Sequence, residues 1–205
     1  MNPDKNKCPF GAKMQKYWDR RYDLFSRFDE GVQIDEVGLY STTPEKIAIE
    51  QAKKMNCKTV VDAFCGVGGN AIAFARVCDK VFAIEKDKTR LEMARHNAGI
   101  YGVEDKIIFI LEDFLVEAPK IEADGVFLDP AWGGPEYKKL GGFKLSNFIP
   151  DGNDILNLSF KHFKKVALKV PDFFDFNELN KFRKEYSIQD NIINGEVGFR
   201  TVYFK

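Results

Sequence analysis

The stretch "VVDAFCGVGGN", residues 60–70, joins an apolar, β-branched run to a turn rich in glycine. The run is typical of a buried parallel strand, and Asp62 stands near its end. Gly66, Gly68 and Gly69 allow tight backbone geometry and the close approach of a ligand before a helix begins. This strand, turn and helix predict the first unit of an α/β fold.

Further β-rich runs alternate with helical patterns downstream, as in βαβ units around a largely parallel sheet. Asn194 and Gly195 supply a turn signal between the last two runs and leave no room for a crossover helix. We therefore predict an α/β fold with a seven-stranded, mostly parallel sheet that ends in an antiparallel hairpin. The expected strands are "KTVVDAFC", "KVFAIEKD", "KIIFILED", "ADGVFLDP", "KKVALKVP", "YSIQDNII" and "FRTVYFK", with helices near 70–77, 88–101, 151–162 and 175–184.

The N-terminal part of the chain has its own helical patterns. Residues 13–26 are aromatic and basic, and "STTPEKIAIEQAKKM" opens with Thr42 and Glu45 three positions apart, around Pro44. That spacing is typical of a capping box with proline in the first turn. These segments predict a small helical lobe packed against the sheet.

Length and charge limit the possible functions. The 205 residues, 44% of them hydrophobic, suffice for one compact domain, with a lobe at 1–50 and a core at 51–205. Lys and Arg number 31, and Asp and Glu also number 31, so the formal net charge is zero. A protein that tracks long stretches of phosphate backbone would normally carry a basic excess.

The compartment follows from the cysteines and from hydropathy. No CxxC pair occurs, so neither a disulfide framework nor a metal site is expected. No apolar run reaches the roughly 20 residues that span a bilayer, and the N-terminus is too polar for a signal peptide. We expect a soluble, intracellular protein with reduced thiols at Cys8, Cys57, Cys65 and Cys78.

Acids end three successive strands of the predicted sheet. The turn is not GxGxxG, and Asp62 would repel a pyrophosphate, but it suits an amine such as the methionine end of S-adenosylmethionine. Glu85 follows 23 positions later, close to the spacing that places an acid on ribose hydroxyls. Asp113 could accept the adenine amino group while Phe114 packs on the base. Together with the glycine turn, these acids favour a cofactor site over solvated loop residues.

This ordered set resembles the class I S-adenosylmethionine-dependent methyltransferases, which have a Rossmann-like sheet. In such a fold "DPAW", residues 129–132, would lie near the departing methyl group, as the Asp/Asn/Ser-Pro-Pro-aromatic motif does in amino-group methyltransferases. Asp129 and the carbonyl of Pro130 could accept the two hydrogens of a base amine and orient it. Trp132, followed by two glycines and so with few local packing partners, could stack on the base.

A more specific resemblance is carried by "DPAWGGPEY", "KYWDRRYDLFSRFDEGVQID", "LYSTTPEKIA" and "VVDAFCGVGGN", which are similar to the trimethylguanosine synthase family. The resemblance implies methylation of the guanine N2 of 7-methylguanosine RNA caps, to 2,7-dimethylguanosine and, by a second transfer, to 2,2,7-trimethylguanosine. It also implies a nuclear monomer acting on capped RNA of the small nuclear and nucleolar type. By the same resemblance Trp132 would stack on 7-methylguanine, Ser41 and Tyr137 would line its pocket, Lys16 would contact cap phosphate, and Phe25 and Thr43 would help to close the cofactor site.

The chain departs from that family at several positions. Asp129 replaces a serine, and a carboxylate near cationic 7-methylguanine should be electrostatically favourable. Ala131 replaces the second proline of the motif, and loss of that ring is expected to loosen the loop. The family tends to place an arginine soon after the fifth strand, where this chain offers Asp172 with Lys169 nearby.

Other interpretations remain open at this stage. Asp-Pro-x-Trp also occurs in adenine-N6 and internal guanine-N2 methyltransferases, and the alanine in the motif would be consistent with a non-catalytic cap-binding protein. The basic N-terminal segment could be a solvated helix face with its aromatic residues packed inward. The resemblance instead favours a lobe whose charge receives the cap triphosphate. The basic residues concerned are Lys13, Lys16, Arg20, Arg21 and Arg27, and the aromatic ones are Trp18, Tyr22 and Phe25.

Overall fold

The structure, a computed structural model, describes residues 6–134, 137 and 139–205. In these residues one sheet contains seven strands in the order β3-β2-β1-β4-β5-β7-β6. The strands are β1 (Thr59–Asp62), β2 (Lys80–Glu85), β3 (Ile107–Leu111), β4 (Gly125–Leu128), β5 (Lys165–Pro171), β6 (Tyr186–Ile193) and β7 (Glu196–Phe204). All seven predicted strands are confirmed.

The first five strands are parallel, and β7 lies antiparallel between β5 and β6. The β6–β7 turn has φ of 54° at Asn194 and 85° at Gly195. Positive φ at both central residues is what a tight hairpin of this hand requires, and asparagine and glycine are the residues that adopt it most readily. The predicted C-terminal hairpin is therefore confirmed.

Helices cover both faces of the sheet and also form most of the N-terminal segment. The predicted helix near 175–184 is instead a run of 3-10 helix, Phe176–Phe182, whereas the other three helices of the core are confirmed. None of the helices in the described ranges is both long and apolar enough to cross a bilayer. They are α1 (Gln15–Trp18), α2 (Arg21–Leu24), α3 (Glu36–Ser41), α4 (Glu45–Met55), α5 (Gly69–Ala75), α6 (Lys88–Ile100), α7 (Phe114–Glu117) and α8 (Gly152–His162).

Two apolar layers hold the fold together. On one face of the sheet Ala52 of α4, Ile72 of α5 and Leu91 of α6 share a cluster with the N-terminal aromatic residues. On the other face Ile155 and Leu156 of α8 are fully buried in a second cluster. Since β1 to β5 are parallel, their carboxyl ends meet along one edge of the sheet, and ligands of open α/β sheets bind at that edge.

The N-terminal segment differs from its predicted form in two ways. Residues 13–26 form two short helices, α1 and α2, and do not form a single amphipathic one. The aromatic side chains do not all face inward either, since Phe25 is buried but Tyr22 is 43% exposed. Arg21, expected to be solvated, is only 5% exposed and stacks on the Trp18 ring, its guanidinium carbon 4.8 Å from the ring centroid.

The start of α4 also differs from the prediction. The helix begins at Glu45, and Pro44 at its N-cap provides no side-chain hydrogen bond, so the expected capping box is absent. The Glu45 carboxylate instead accepts a hydrogen bond from the Ser26 amide at 2.7 Å. The predicted boundary after residue 50 falls inside α4, and residues 1–5 of the predicted lobe lie outside the described part of the chain.

Candidate active site

The glycine turn after β1 shapes the edge of the sheet. Gly66 and Gly68 have φ of 52° and 94°, which favour glycine over other residues. A Cβ on Gly68 would lie 3.0 Å from the Cα of Ala94 in α6, and one on Gly69 would lie 2.6 Å from Cγ2 of Thr42. Side chains at these two positions would therefore push α6 and the N-terminal segment away from the turn.

Glu85, at the end of β2, supports this turn directly. Its Oε2 accepts a hydrogen bond from the Gly66 amide at 3.0 Å, and its Oε1 accepts one from the Asp87 amide at 3.0 Å. Each carboxylate oxygen has a second lone pair, so these bonds leave room for a ligand hydroxyl. The ribose-binding role of Glu85 stays a prediction, to which the structure adds a supporting role in the turn.

Asp62 lies at the end of β1 in an unusual environment. The residue is 1% exposed, and neither carboxylate oxygen has a hydrogen-bond partner within the described residues. Burial, reinforced by the nearby charges of Asp129 and Glu85, raises the pKa of Asp62 to about 8, although the amides of Phe64 and Ala71 lower it in part. Neither amide reaches hydrogen-bonding geometry with the carboxyl group. A buried carboxylate without a partner is costly, and a cationic ligand would remove that cost.

Asp113 and Phe114 both have contacts within the protein. Asp113 caps α7, its Oδ1 accepting a hydrogen bond from the Leu115 amide at 2.8 Å. Phe114 is 2% exposed, and its ring packs against Phe64 with centroids 5.6 Å apart. The predicted contacts of these residues with adenine stay predictions, and in this structure the ring of Phe114 has no free face.

The N-terminal segment reaches the glycine turn from the other side. Phe25 is buried, and its Cζ would lie 3.9 Å from a Cβ on Gly69. Thr43 is 1% exposed and places its carbonyl oxygen 3.8 Å from the same point. Both residues thus lie beside the start of α5, and their role in closing the cofactor site stays a prediction.

Asp129 follows β4 and forms a buried ion pair. The Lys169 ammonium of β5 lies 2.7 Å from Asp129 Oδ2, with the two side chains 5% and 20% exposed for the lysine and the aspartate. Burial raises the pKa of the Asp129 carboxyl, and the charge and hydrogen bond of Lys169 lower it in part. A carboxylate at the predicted catalytic position is therefore paired with a cation that the sequence did not lead us to assign to the site.

Trp132 has more packing partners than predicted. Its ring meets Tyr137 edge-on with centroids 5.1 Å apart and lies 6.4 Å from Phe143. The expectation of few local contacts is wrong, because the rings of Tyr137 and Phe143 pack against the indole. The side chain remains half-buried, and its Nε1 is a buried donor without a partner in the described part of the chain.

The loop around Ala131 also differs from expectation. Ala131 donates its N–H to the Ile149 carbonyl at 3.3 Å and accepts from the Ile149 N–H at 2.9 Å. A proline at 131 has no N–H and could not make the first of these bonds. The two bonds fix the loop against residue 149, so the local pairing does not support the predicted loosening.

Three further residues are predicted to bind the cap, and these roles stay predictions. Ser41 ends α3, is exposed, and offers its carbonyl to Lys169 at 3.2 Å. Burial, followed by the charges of Asp172 and Tyr17, raises the pKa of Tyr137 to about 12. Lys16, also exposed, lies over the Tyr17 ring at 4.9 Å. Pro135, part of the motif that carried the resemblance, lies outside the described residues.

Sequence reasoning assigned no role to two buried polar residues. Lys169 interrupts the apolar part of β5, and Asn97 is a fully buried amide in α6. Asn97 Nδ2 donates to the Val67 carbonyl of the glycine turn at 2.9 Å and to the Gln33 carbonyl at 2.8 Å. A polar side chain within a buried face was the available signal in both cases, because such groups persist only when they are hydrogen-bonded.

Comparisons with known proteins bear on the family and the fold. A family profile described as RNA cap guanine-N2 methyltransferase matches residues 57–203. The chain is 39% identical over 181 residues to a trimethylguanosine synthase of Schizosaccharomyces pombe, covering 83% of this chain and 74% of that protein. It is 33% identical over 183 residues to the Saccharomyces cerevisiae trimethylguanosine synthase, covering 83% of this chain and 58% of the other. A crystal structure from Porphyromonas gingivalis W83, described as a methyltransferase, matches with a TM-score of 0.75 and 17% identity over 94% of this chain and 49% of its own, and shows the fold alone.

Proposed function

The chain belongs to the RNA cap guanine-N2 methyltransferase family, and we propose that it transfers a methyl group from S-adenosylmethionine to the N2 amine of 7-methylguanosine in RNA caps. One observation carries the proposal. Asp62, whose carboxyl oxygens have no hydrogen-bond partner among the described residues, ends β1, and Asp129 follows β4, the neighbouring strand. This placement supports a site in which an amine-bearing cofactor meets Asp62 and a substrate amine meets Asp129.

The residues at the glycine turn fit the proposed cofactor. When bound, S-adenosylmethionine supplies an electrophilic methyl group on its sulfonium. Asp62 would hold the amino group, and Glu85 would accept the ribose hydroxyls. Asp113 and Phe114 would hold the adenine, while Phe25 and Thr43 would cover the bound molecule. The support for this set is the buried Asp62 carboxylate, which needs a cation, and Gly66, where a side chain would meet nothing within 4 Å.

Asp129 and Pro130 would orient the substrate. The lone pair of an exocyclic base amine is delocalised into the ring, so the amine reacts only when it is aligned and its developing charge is stabilised. The Oδ1 of Asp129 and the Pro130 carbonyl would accept its two hydrogens. Orientation and electrostatics would then supply the catalysis without a strong base.

Trp132 would provide the stacking surface for the base. Stacking on an aromatic ring contributes roughly 1–3 kcal/mol, and a cationic base adds roughly 0.5–2 kcal/mol. Because about 1.4 kcal/mol changes an affinity tenfold, the cationic contribution favours binding of the N7-methylated base by at most about thirtyfold. Ser41 and Tyr137 would complete the base pocket, and Lys16 would contact the phosphates.

The deciding experiment is the mass of the product. The purified protein is incubated with S-adenosylmethionine and 7-methyl-GTP, GTP or uncapped RNA, and each nucleotide is analysed by mass spectrometry. A gain of one or two methyl groups on 7-methyl-GTP alone supports the proposal and also counts the transfers. Methylation of uncapped RNA would support an adenine-N6 or internal guanine-N2 enzyme, and binding without turnover would support a cap-binding protein.

Cellular context extends the proposal. Nuclear residence, a monomeric state and substrates of the small nuclear and nucleolar RNA type follow from the family only. Microscopy of a fluorescent fusion, light scattering, and cap analysis of RNA from depleted cells would test them in turn.

A further inference from the structure

The ammonium of Lys169 has a complete set of partners. Its Nζ donates to Asp129 Oδ2 at 2.7 Å, to Thr43 Oγ1 at 3.0 Å and to the Ser41 carbonyl at 3.2 Å. A lysine ammonium has three N–H donors, so each one is used. The group is thereby fixed in one place between β5, the residues after α3 and the loop after β4.

The two oxygens of the Asp129 carboxylate have different hydrogen bonding. Oδ2 accepts from Lys169, while Oδ1 accepts no hydrogen bond from the described residues. An acceptor for a substrate amine needs an open oxygen in a fixed direction, and a carboxyl keeps both of its oxygens as acceptors only when it is ionised. A serine at this position, as in the family motif, would need no countercharge.

We propose that Lys169 is a positioning residue for methyl transfer, which fixes the Asp129 carboxylate through one oxygen and leaves the other directed to the substrate amine. The inference rests on the proposed function, because it assumes that Asp129 meets the amine. The pair acts as a unit: the aspartate substitutes for a serine only because a buried cation on the adjacent strand balances its charge.

The pair also bears on recognition of a cationic base. The Lys169 ammonium lies 5.6 Å from the centre of the Trp132 ring, the proposed stacking surface. An unpaired ammonium at that distance would repel 7-methylguanine. With Asp129 beside it the local charge is balanced, so the cationic base is tolerated.

Other groups face Asp129 from the elements around it. Asp62 on β1 is close enough for the charge of Asp129 to raise the pKa of Asp62, and Glu85 on β2 also raises it. The Lys169 ammonium itself meets uncharged groups besides Asp129: the Ser41 carbonyl at the end of α3, the Thr43 hydroxyl and the Trp132 indole. Lys169 is therefore the one cation facing Asp129 within the described residues, and its loss should favour the protonated carboxyl.

The test compares Lys169→Met with the matched control Lys165→Met. Lys165 lies on the same strand, roughly 13 Å away, and its ammonium also donates to backbone carbonyls, those of Met55 and Asn56. Turnover of 7-methyl-GTP is measured at saturating cofactor from pH 6 to 9, so that titration of Asp62 at the cofactor does not limit the rate. We expect Lys169→Met to lose at least about tenfold more activity at pH 6 than at pH 9, whereas Lys165→Met keeps the wild-type profile.

The second part of the test uses the double variant Asp129→Asn/Lys169→Met. Both charges of the pair are removed in this variant, so it is expected to fold even if a single variant does not. Asp129→Asn alone should lower the preference for 7-methyl-GTP over GTP in equilibrium binding by about tenfold, and the double variant should restore it. Parallel pH profiles for Lys169→Met and wild type, or additive effects in the double variant, would overturn the proposal. Failure of the wild type to methylate 7-methyl-GTP would instead overturn the proposed function, and the binding arm would still report on the charge pair.

Discussion

Asp62 and Asp129 lie on neighbouring strands but have different surroundings. Asp129 is neutralised by Lys169, whereas Asp62 is buried without a partner in the described residues. Because burial raises the pKa of Asp62 to about 8, the folded protein holds a proton that the unfolded chain releases near pH 4. The contribution to stability is therefore present at low pH and is lost as the pH rises toward 8.

Replacement of Asp62 by asparagine should remove the pH dependence of stability that this residue causes. We expect the Tm of Asp62→Asn to exceed that of the wild type by more at pH 8 than at pH 5, while cofactor affinity falls at least about tenfold. Thermal melts and calorimetric titration measure the two effects.

Asp124 provides a control of opposite sign. Hydrogen bonds from the amide of Thr59, and also from Lys58, lower the pKa of its carboxyl. Its stabilising effect is lost as the pH falls, so Asp124→Asn should lower the Tm at pH 7. Equal Tm differences at pH 5 and pH 8 for Asp62→Asn would contradict the assignment.

The stacking role proposed for Trp132 can be tested by substitution. Trp132→Ala should weaken binding of 7-methyl-GTP by about 5- to 100-fold without changing cofactor affinity. Trp132→Phe keeps a stacking ring and removes a buried N–H that lacks a partner in the described chain, so its Tm should not fall. Fluorescence polarisation with a labelled cap analogue measures the affinities, and unchanged binding in Trp132→Ala would rule out the stacking role.

The loop after β4 is held by backbone hydrogen bonds at Ala131. The family motif has a second proline where this chain has Ala131, and the sequence suggested a looser loop. The structure shows instead that the alanine N–H joins a two-bond bridge to Ile149. The N–H of Ala131 thus holds the loop by a hydrogen bond, where a proline would hold it by the rigidity of its ring.

Restoring the proline should therefore not help. Ala131→Pro removes one backbone hydrogen bond, and where a bonded N–H is lost the entropic gain of proline is outweighed. We expect a loss of about 1 kcal/mol in the free energy of unfolding and no gain in turnover. Ala131→Ser keeps the N–H and is the control, and a more stable proline variant in denaturant titration would refute this account.

For the whole molecule, Glu45 connects three parts of the chain. It accepts from the Ser26 amide and from Tyr101 Oη at 2.9 Å, and pairs with Arg76 at 2.7 Å. Burial alone would raise the pKa of Glu45, but these hydrogen bonds outweigh it and lower the pKa. Its contribution to stability is therefore present at neutral pH and lost on acidification.

Loss of this connection should release the N-terminal segment. Glu45→Gln is expected to destabilise the protein by about 1–3 kcal/mol and to speed proteolytic cleavage before residue 35, with a smaller effect at pH 4 than at pH 7. Glu50→Gln, on the exposed side of the same helix, is the control. Equal cleavage rates in the two variants would show that Glu45 does not hold the segment.

Parts of this architecture follow from local patterns. All seven strands, the hairpin turn and three core helices could be located because each has a periodicity or a turn signal within a few residues. The N-terminal helices could not, since Thr42 and Glu45 match a capping box in spacing while the Glu45 carboxylate bonds to Ser26, 19 positions away. The partners of Trp132 were missed for the same reason.

The sequence by itself determined the order of strands and helices, the glycine turn, and the acids at the carboxyl ends of β1, β2 and β4. These depend on backbone conformation and on neighbours along the chain. Only the tertiary structure decided that Asp62 has no hydrogen-bond partner among the described residues and that Lys169 balances Asp129, 40 positions away. Ionisation and orientation of a buried group depend on desolvation and on charges a few ångströms away in space, and adjacent parallel strands bring together residues whose separation in sequence carries no sign of that contact.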